Sequence, residues 1–368
     1  MGRERALQAI DLQPTDRVPQ WVIMSNPDYV RRLTGIDPFQ HRREAYLRCF
    51  KLLDIEIADG DVNIELREPG ESGLAEEPAR NTAQEQHEVR TSQWGVFGTA
   101  WDRPQMAKTA EEILAFEPRD PANLIGTEYW EIAAKSVDEL AVLYQDRFHR
   151  MQAALGESSL VYAYFYCTLF MWSIMLFGWE PFLEAAASEP AKFRVLLDKF
   201  AALSLKVTSA WAKTDIELFV SHDDICMTRG PVFNPLWYRE HVFPWYREIW
   251  RPLKEAGKKI VFMSDGRIDR VAGDVMAAGA DGVYFEPVSD LEYLVREFGR
   301  DKILIGNADV KILTFGTRED VVNEVRRCMT LGRDCPGYFI SVSNHIPQNV
   351  PVENIETYFQ ACREYGRR

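Results

Sequence analysis

The chain has 368 residues, 46% of them hydrophobic and 27% charged, which is typical of a globular protein with one large or two smaller α/β domains. Its net charge of −13 argues against binding to nucleic acid, because phosphate backbones are bound by clustered lysine and arginine side chains. No apolar run approaches the roughly 20 residues needed to cross a bilayer, so no membrane partner is expected.

The cysteines and the N-terminus indicate the compartment. Six cysteines are scattered along the chain without a CxxC motif, a pattern that predicts reduced thiols and no disulfide framework. The first residues, Met-Gly-Arg-Glu-Arg, lack the apolar core of a secretory signal. We therefore expect a cytoplasmic protein.

The N-terminal third begins with helical and extended patterns. They predict helices over residues 3–12 and 44–53, and strands over residues 17–24 and 55–58. Residues 61–102 break this order, because they are rich in Glu, Gly and Pro and then alternate between polar and apolar side chains. This pattern predicts a β-hairpin insertion over the mouth of a barrel, with an exposed excursion without function as the alternative.

The rest of the chain continues in β-then-α order after an acidic, irregular stretch at 110–143. The apolar stretch at 161–179 is typical of a buried strand and pocket wall. The predicted strands are 160–165, 216–221, 259–263, 281–285, 302–306 and 337–342. The predicted helices are 147–155, 179–187, 190–212, 235–256 and 352–365.

Eight predicted strands in this order favour an α/β fold of the (β/α)8 or TIM-barrel type, as a single domain over residues 1–368. A doubly wound open sheet is the alternative. The sequence contains neither GxGxxG nor GxxxxGK[ST], so no motif supports a nucleotide site.

Acidic side chains follow several predicted strands at the point where each strand ends. Asp223 and Asp224 follow the strand at 216–221, and Asp265 and Glu286 follow the next two strands. Because the carboxyl ends of parallel strands share one edge, these groups are expected to converge. Asp224, Asp265 and Glu286 are therefore the candidate catalytic residues. The alternative for each is a structural helix cap, which is common for an acid after a strand.

Six short segments in this order resemble the uroporphyrinogen decarboxylase superfamily. They are Arg3–Leu7 with Asp16–Pro19, Asp223–Asp224, Ser264–Gly266, Gly306–Asp309 and Pro351–Asn354. The resemblance covers nearly the whole chain and implies a (β/α)8 barrel with its active site at the carboxyl edge. It is closest to the corrinoid-dependent methyltransferase branch, in particular to O-demethylase-like members.

Two departures from the family pattern narrow the expected activity. The first strand reads Gln-Trp-Val-Ile-Met over residues 20–24 and lacks the arginines that clamp porphyrinogen carboxylates in the haem-pathway enzymes. Thiol-methylating members bind zinc through HxC and a later Cys, and the matching positions here hold Met263, Asp265 and Asn344. A thiol-activating zinc site of that kind is therefore not expected.

What the resemblance then implies is a methyltransferase that moves a methyl group from a small methylated substrate to Co(I) of a corrinoid (a methylcobamide) carried by a separate corrinoid-binding protein. Aromatic side chains favour a methoxylated aromatic as the donor, although core filling is the alternative for each of them. The expected substrate-binding residues are Trp21, Met24, Tyr164, Tyr166, His222, Asp223, Met263, Asn307 and Asn344.

The expected chemistry is stabilisation of the departing phenolate. Crowded carboxylates raise one another's pKa, so one of the three candidate acids could stay protonated and donate a proton. Zinc held by Asp265, Glu286 and His345 is a second way to neutralise that charge, with a hydrogen-bonding histidine as the alternative.

Two other functions remain open at this level. One is a cofactor-free decarboxylase, in which an acid at the strand ends protonates a carbanion. The other is a non-catalytic barrel that binds a protein partner. A homodimer is compatible with each of these functions.

Overall fold

The computed structural model describes residues 2–58, 106–343 and 345–368. These residues form two compact units. The first unit contains residues 2–58, Met151–Val161 and Asp290–Arg368, and the second contains residues 106–150 and Tyr162–Ser289. The predicted hairpin insertion at 61–102 lies outside the described residues.

The second unit contains four parallel strands within its described part. In the order of their pairing they are β4 (Ala163–Phe165), β5 (Leu218–His222), β8 (Lys259–Met263) and β9 (Gly282–Tyr284). Nearly all of their side chains are buried, as expected for parallel strands covered by helices on their faces. A short antiparallel hairpin, β6 (Cys226–Met227) with β7 (Gly230–Pro231), follows β5.

The described part of the first unit also contains four short parallel strands. They are β1 (Trp21–Val22), β3 (Ile57–Ala58), β10 (Ile303–Ile305) and β11 (Tyr338–Phe339). β1 pairs with β3, β10 pairs with β11, and a parallel bridge from Gln20 to Ile340 joins the two pairs. A further parallel pair is formed by β2 (Met24–Ser25) and β12 (Ile346–Pro347). The expected α/β class with parallel strands is confirmed, and closure into a single eight-stranded barrel stays a prediction.

Helices follow most of the strands. They are Gly2–Ile10, Pro27–Thr34, Arg42–Leu53, Ala110–Ala115, Trp130–Ala134, Val137–Leu155, Phe170–Phe177, Trp179–Ser188, Pro190–Ala212, Pro235–His241, Phe243–Glu255, Ala272–Ala277, Leu291–Phe298, Val310–Phe315, Arg318–Gly332 and Val352–Tyr365, with a 3₁₀ turn at Pro121–Leu124. Among the described residues, none of these helices has the length and apolar character required to span a bilayer.

The stretch at 110–143 contains two short helices, a 3₁₀ turn and the start of a long helix, joined by irregular segments, so it is more helical than the sequence suggested. The long helix Val137–Leu155 begins ten residues before the predicted start at 147. A capping box explains this start: the Glu139 N–H donates to Ser136 Oγ at 3.2 Å, and the Ser136 N–H donates to Glu139 Oε2 at 2.8 Å. This Ser-x-x-Glu signal is present in the sequence, and the acidic composition obscured it.

The apolar stretch at 161–179 is also only partly a strand. Its second half forms the helix Phe170–Phe177, whose eight side chains are all buried. A helix that is buried on every side has no polar face, so periodicity does not distinguish it from a buried strand. Of the predicted strand at 160–165, residues Ala163–Phe165 form β4, and the helix Phe170–Phe177 was not predicted.

A buried cluster of ion pairs connects the elements at the start of the first unit. Glu56 is completely buried beside β3, and its Oε1 accepts hydrogen bonds from Arg5 at 2.6 Å and from Arg17 at 2.6 Å. Its Oε2 accepts the N–H of Gln20 at 2.7 Å, next to β1. One carboxylate therefore ties the first helix, the approach to β1 and the start of β3 together. Removing such a buried charge leaves its partners without compensation, which is more costly than losing an exposed pair.

We expect Glu56→Gln to lower the free energy of unfolding by about 3 kcal/mol, because two largely buried guanidinium groups lose the one buried carboxylate that they share. Urea denaturation measures this change. Asp54→Asn is the matched control, since Asp54 contacts Arg17 at 2.7 Å but its side chain is 51% exposed. The control should cost less than about 1 kcal/mol. Equal effects of the two substitutions would contradict the role assigned to Glu56.

Candidate functional site

The polar turns after β5 and β8 lie side by side in the second unit. The register pairs His222 with Met263, and the Asp223 N–H donates to the Met263 carbonyl at 3.0 Å. The turn after β8 then places the Asp265 N–H 2.9 Å from Oδ1 of Asp224. The expected convergence of Asp224 and Asp265 is therefore observed, and it follows from two parallel strands that end at one level.

His222 and Asp224 form the centre of the site. His222 Nε2 lies 2.8 Å from Asp224 Oδ1, and both side chains are buried. Burial opposes charge on the imidazole, but the neighbouring Asp224 outweighs it and raises the pKa of His222. Burial likewise opposes charge on Asp224, whereas His222 and the donated hydrogen bonds lower the pKa of that carboxyl. The two groups therefore stabilise each other as an ion pair.

Tyr164 of β4 and Tyr166, which directly follows that strand, complete this side of the site. The Tyr164 hydroxyl lies 2.5 Å from His222 Nδ1, and the Tyr166 hydroxyl donates to Asp224 Oδ2 at 3.3 Å. The Tyr166 ring also packs edge-on against the imidazole, with centroids 4.4 Å apart at 74°. The parallel pairing of β4 with β5 positions Tyr164, and Tyr166 follows at the end of that pairing. Both were predicted as substrate-binding residues.

The Asp265 carboxylate differs from the other groups of this cluster in its hydrogen bonding. Among the described residues, no hydrogen-bond donor reaches it, although it is partly buried. Burial and the nearby charges of Asp224 and Glu286 raise the pKa of Asp265 to about 7, and His222 opposes them. At neutral pH this carboxyl is therefore poised between its protonated and charged forms.

Glu286 supports the turn that carries Asp265. Its Oε2 accepts the Gly266 N–H at 2.7 Å. Gly266 has φ +79°, and a Cβ there would lie 2.6 Å from the Met227 backbone, so only glycine fits beneath the β6–β7 hairpin. Glu286 thus acts on Asp265 through its charge and through this turn.

Asp223 faces a different environment from its two neighbours. It is completely buried, and its carboxylate accepts the N–H groups of Leu169, Phe170 and Met171 at 2.5–3.0 Å. The Tyr246 hydroxyl donates to the same carboxylate at 2.7 Å. Asp223 therefore caps the helix Phe170–Phe177 from another part of the chain. These four donors give Asp223 a structural role, and a substrate contact for it stays a prediction.

His222, Asp224 and Asp265 have the composition of a metal site. One ligand atom from each lies within 4.8 Å of the others. A histidine nitrogen with two carboxylate oxygens suits a divalent cation such as zinc, with a coordination position left for substrate. The lack of any described donor to Asp265 supports this fit, since a cation would satisfy that carboxylate.

The cluster of His222, Asp224 and Asp265 differs from the predicted set of metal ligands, which was Asp265, Glu286 and His345. Asp265 is common to both sets, but Glu286 accepts a backbone N–H. His345 belongs to the first unit, where burial lowers its pKa. His222, which was predicted to contact substrate, takes the place of the histidine ligand in the observed cluster.

The remaining predicted substrate-binding residues are Trp21, Met24, Asn307, Met263 and Asn344. Trp21 and Met24 are completely buried in the first unit. Asn307 is buried there as well, and its Oδ1 accepts a hydrogen bond from Arg327 at 3.1 Å. Met263, at the end of β8, is 6% exposed, and Asn344 lies outside the described residues. A substrate contact for these residues stays a prediction.

Comparison with known proteins adds a family and a fold. The family model described as uroporphyrinogen decarboxylase (URO-D) matches residues 167–365, more than half of the chain. A curated relative, the methylated-thiol–coenzyme M methyltransferase of Methanosarcina mazei, is 30% identical over 128 residues, which cover 34% of this chain and 33% of the relative. The match thus spans about a third of that relative's length.

A solved structure gives a likeness over the full length. The structure described as a methyltransferase from Methanosarcina mazei superimposes with a TM-score of 0.63 and covers 99% of this chain and 98% of its own. The two sequences are 13% identical, so this likeness shows a common fold and nothing finer.

The raised pKa of Asp265 predicts a specific pH dependence of stability. Between pH 3.8, the ordinary pKa of an aspartic acid, and about pH 7, Asp265 is protonated in the folded protein and deprotonated in the unfolded chain. The contribution to stability is therefore complete below pH 3.8 and is lost as the pH rises through 7. Asp265→Asn stays neutral, so the free energy of unfolding of the wild type relative to this variant should fall by about 2 kcal/mol between pH 5 and 8.

Urea denaturation with a chelator present measures this difference for the metal-free site. Asp274→Asn serves as a control, because Asp274 pairs with exposed Arg239 at 2.9 Å on the protein surface. Its effect should not change between pH 5 and 8. A pH-independent difference for Asp265→Asn would contradict the raised pKa.

Proposed function

The chain belongs to the uroporphyrinogen decarboxylase family, and from that premise we propose that it is a methyltransferase that moves a methyl group from a small methylated substrate to a corrinoid carried by a partner protein. The name of the matched relative supports methyl transfer, and the full-length likeness to a methyltransferase fold is compatible with it. The observation that carries the proposal is the cluster of His222, Asp224 and Asp265, which can neutralise charge at a leaving atom.

Methyl transfer from oxygen requires stabilisation of the departing group. The methyl–oxygen bond breaks, and its electron pair stays on the oxygen, which needs a proton or a cation. Asp265 holds a proton up to about pH 7 and is the donor to that oxygen. The corrinoid, when bound, supplies the nucleophile that accepts the methyl group.

The neighbours of Asp265 keep it suited to this task. The charge of Asp224 raises the pKa of Asp265, and Asp224 in turn is held by the Asp265 N–H at 2.9 Å. Glu286 adds a second negative charge and accepts the Gly266 N–H. Asp224 is therefore a stabiliser of His222 and Glu286 a positioning residue, and Asp265 is the acid.

A divalent cation would be held by His222, Asp224 and Asp265. When bound, it supplies a Lewis acid to the leaving atom. The proton on Asp265 and the cation neutralise the same crowded carboxylates, so binding of the cation releases that proton. Zinc is the first candidate because the set contains a histidine nitrogen.

A methoxylated aromatic is the favoured donor. Tyr164 and Tyr166 are partly buried beside the cluster, and their ring centroids lie 6.0 Å apart. Partly exposed tyrosine rings next to a proton donor suit an aryl ether, because aromatic rings pack edge-on against each other. A methylated thiol is the second candidate, since it is named in the description of the matched relative.

A decarboxylase is less favoured by the charges around Asp265. The groups that act on it are the carboxylates of Asp224 and Glu286 and the imidazole of His222. Arg267, two residues away, is exposed and donates to the Val288 carbonyl at 2.7 Å. An anionic carboxylate substrate would therefore meet two negative charges at the acid.

The function is tested by incubating the purified protein with cob(I)alamin and a panel of methoxylated aromatics, methylamines and methylated thiols. We expect loss of the Co(I) absorbance with a methoxylated aromatic. Asp265→Asn should slow this loss by about 100-fold, in the range typical of general acid catalysis, while Asp274→Asn should not change it.

Two further results would decide between the alternatives. Loss of activity with a chelator and its recovery with Zn²⁺ would assign charge neutralisation to the cation, whereas full activity with chelator would assign it to the Asp265 proton. No reaction with any methyl donor, together with release of CO2 from a carboxylated aromatic, would replace the methyltransferase with a decarboxylase.

A further inference from the structure

We propose that Tyr164 is a positioning residue that sets the tautomer of His222: its hydroxyl accepts the Nδ1 proton and thereby leaves Nε2 as the nitrogen that binds the cation. This inference rests on the metal site of the proposed function. It concerns a residue of β4, which contributes no ligand atom to the set of His222, Asp224 and Asp265.

The two nitrogens of the imidazole face different partners. Nε2 lies 2.8 Å from Asp224 Oδ1, and the Asp265 N–H reaches that same oxygen at 2.9 Å. Nδ1 lies 2.5 Å from the Tyr164 hydroxyl. Nε2 is therefore on the side of the two carboxylate ligands, and Nδ1 is on the side of the tyrosine.

The chemistry of histidine ligation then fixes the role of the tyrosine. A ligating nitrogen must be free of its proton, so a neutral imidazole that binds through Nε2 carries its proton on Nδ1. A histidine ligand usually donates this second N–H to a fixed acceptor, which orients the ring. The Tyr164 oxygen is at hydrogen-bond distance from Nδ1 and takes that role.

In the metal-free site, Nε2 is a hydrogen-bond donor and not a ligand atom. Asp224 is an acceptor there, so Nε2 carries a proton that points at the carboxylate. A divalent cation at Nε2 would displace this proton to solvent, while the Nδ1–H···O bond to Tyr164 would hold the ring with Nε2 facing the carboxylates.

The rings around His222 hold this orientation independently of the hydroxyl. Tyr164 and His222 have centroids 5.8 Å apart at 65°, and Tyr166 packs against the other part of the imidazole at 4.4 Å. Tyr164→Phe keeps the ring contact and removes only the acceptor. It thus separates packing from the hydrogen bond.

The test measures Zn²⁺ affinity of the full-length metal-free protein by competition with a chromophoric chelator. Tyr164→Phe should weaken binding by about 10- to 100-fold, as is typical when the outer partner of a histidine ligand is removed. Tyr162→Phe is the matched control, because it removes a hydroxyl from the adjacent ring, whose centroid lies 6.5 Å from that of Tyr164. The control should stay within about twofold of the wild type.

A second readout reports the tautomer directly. The chain has only six histidines, so the ¹⁵N signals of His222 can be assigned from their loss in His222→Gln. In the Zn²⁺-loaded wild type these signals should show a protonated Nδ1 and a metal-bound Nε2. In Tyr164→Phe the Nδ1–H signal should exchange faster with solvent, which loss of packing alone would not cause in a protein with an unchanged melting temperature.

Each outcome has one meaning. Equal Zn²⁺ affinity in the wild type and Tyr164→Phe would overturn the role of Tyr164 and leave the metal site intact. No Zn²⁺ binding by the wild type would overturn the metal site itself, while methyl transfer in the presence of chelator would remain as a separate result. A phenolate-to-copper charge-transfer band in the Cu²⁺-loaded wild type would make Tyr164 a ligand and also overturn the inference.

Discussion

The carboxylate of Asp223 is the contact on which the geometry of the site depends. It is completely buried and accepts three backbone N–H groups of the helix Phe170–Phe177, together with the Tyr246 hydroxyl. Because successive side chains in an extended segment point to opposite sides, anchoring Asp223 on the helix directs its two neighbours away from it. His222 and Asp224 then contact Tyr164, Tyr166 and the turn after β8.

The arrangement has an electrostatic cost that explains its chemistry. Asp224, Asp265 and Glu286 bring three carboxylates together in a partly buried region, where like charges cannot all remain ionised. His222 neutralises one of them through a charge-assisted hydrogen bond. The electrostatic repulsion that remains acts on Asp265, which either keeps a proton or binds a cation. The proton or cation that reduces the repulsion among these carboxylates is therefore the same one that would neutralise the leaving group.

Some features of the site could be predicted from local sequence. Apolar runs that end in acids gave Asp224, Asp265 and Glu286, because strand length and the turn after each strand are local properties. The start of the helix at Val137 was equally local, since Ser136 and Glu139 form a capping box that the acidic composition concealed. The different roles of the neighbouring acids could not be predicted from local sequence, because Asp223 accepts hydrogen bonds from donors that lie 23 to 54 residues away in the sequence.

The sequence by itself determined that parallel strands would end in a common set of acids and tyrosines, since β-branched and aromatic runs with polar ends permit little else. Only the tertiary structure decided which acid caps a helix, which one holds a turn and which one has no donor in the part of the chain that the structure describes. The physical reason is that the pKa and hydrogen bonding of a buried carboxylate depend on the groups packed around it. Those groups reach Asp223, Asp224 and Asp265 from other strands and helices, so their identity follows from packing and not from spacing.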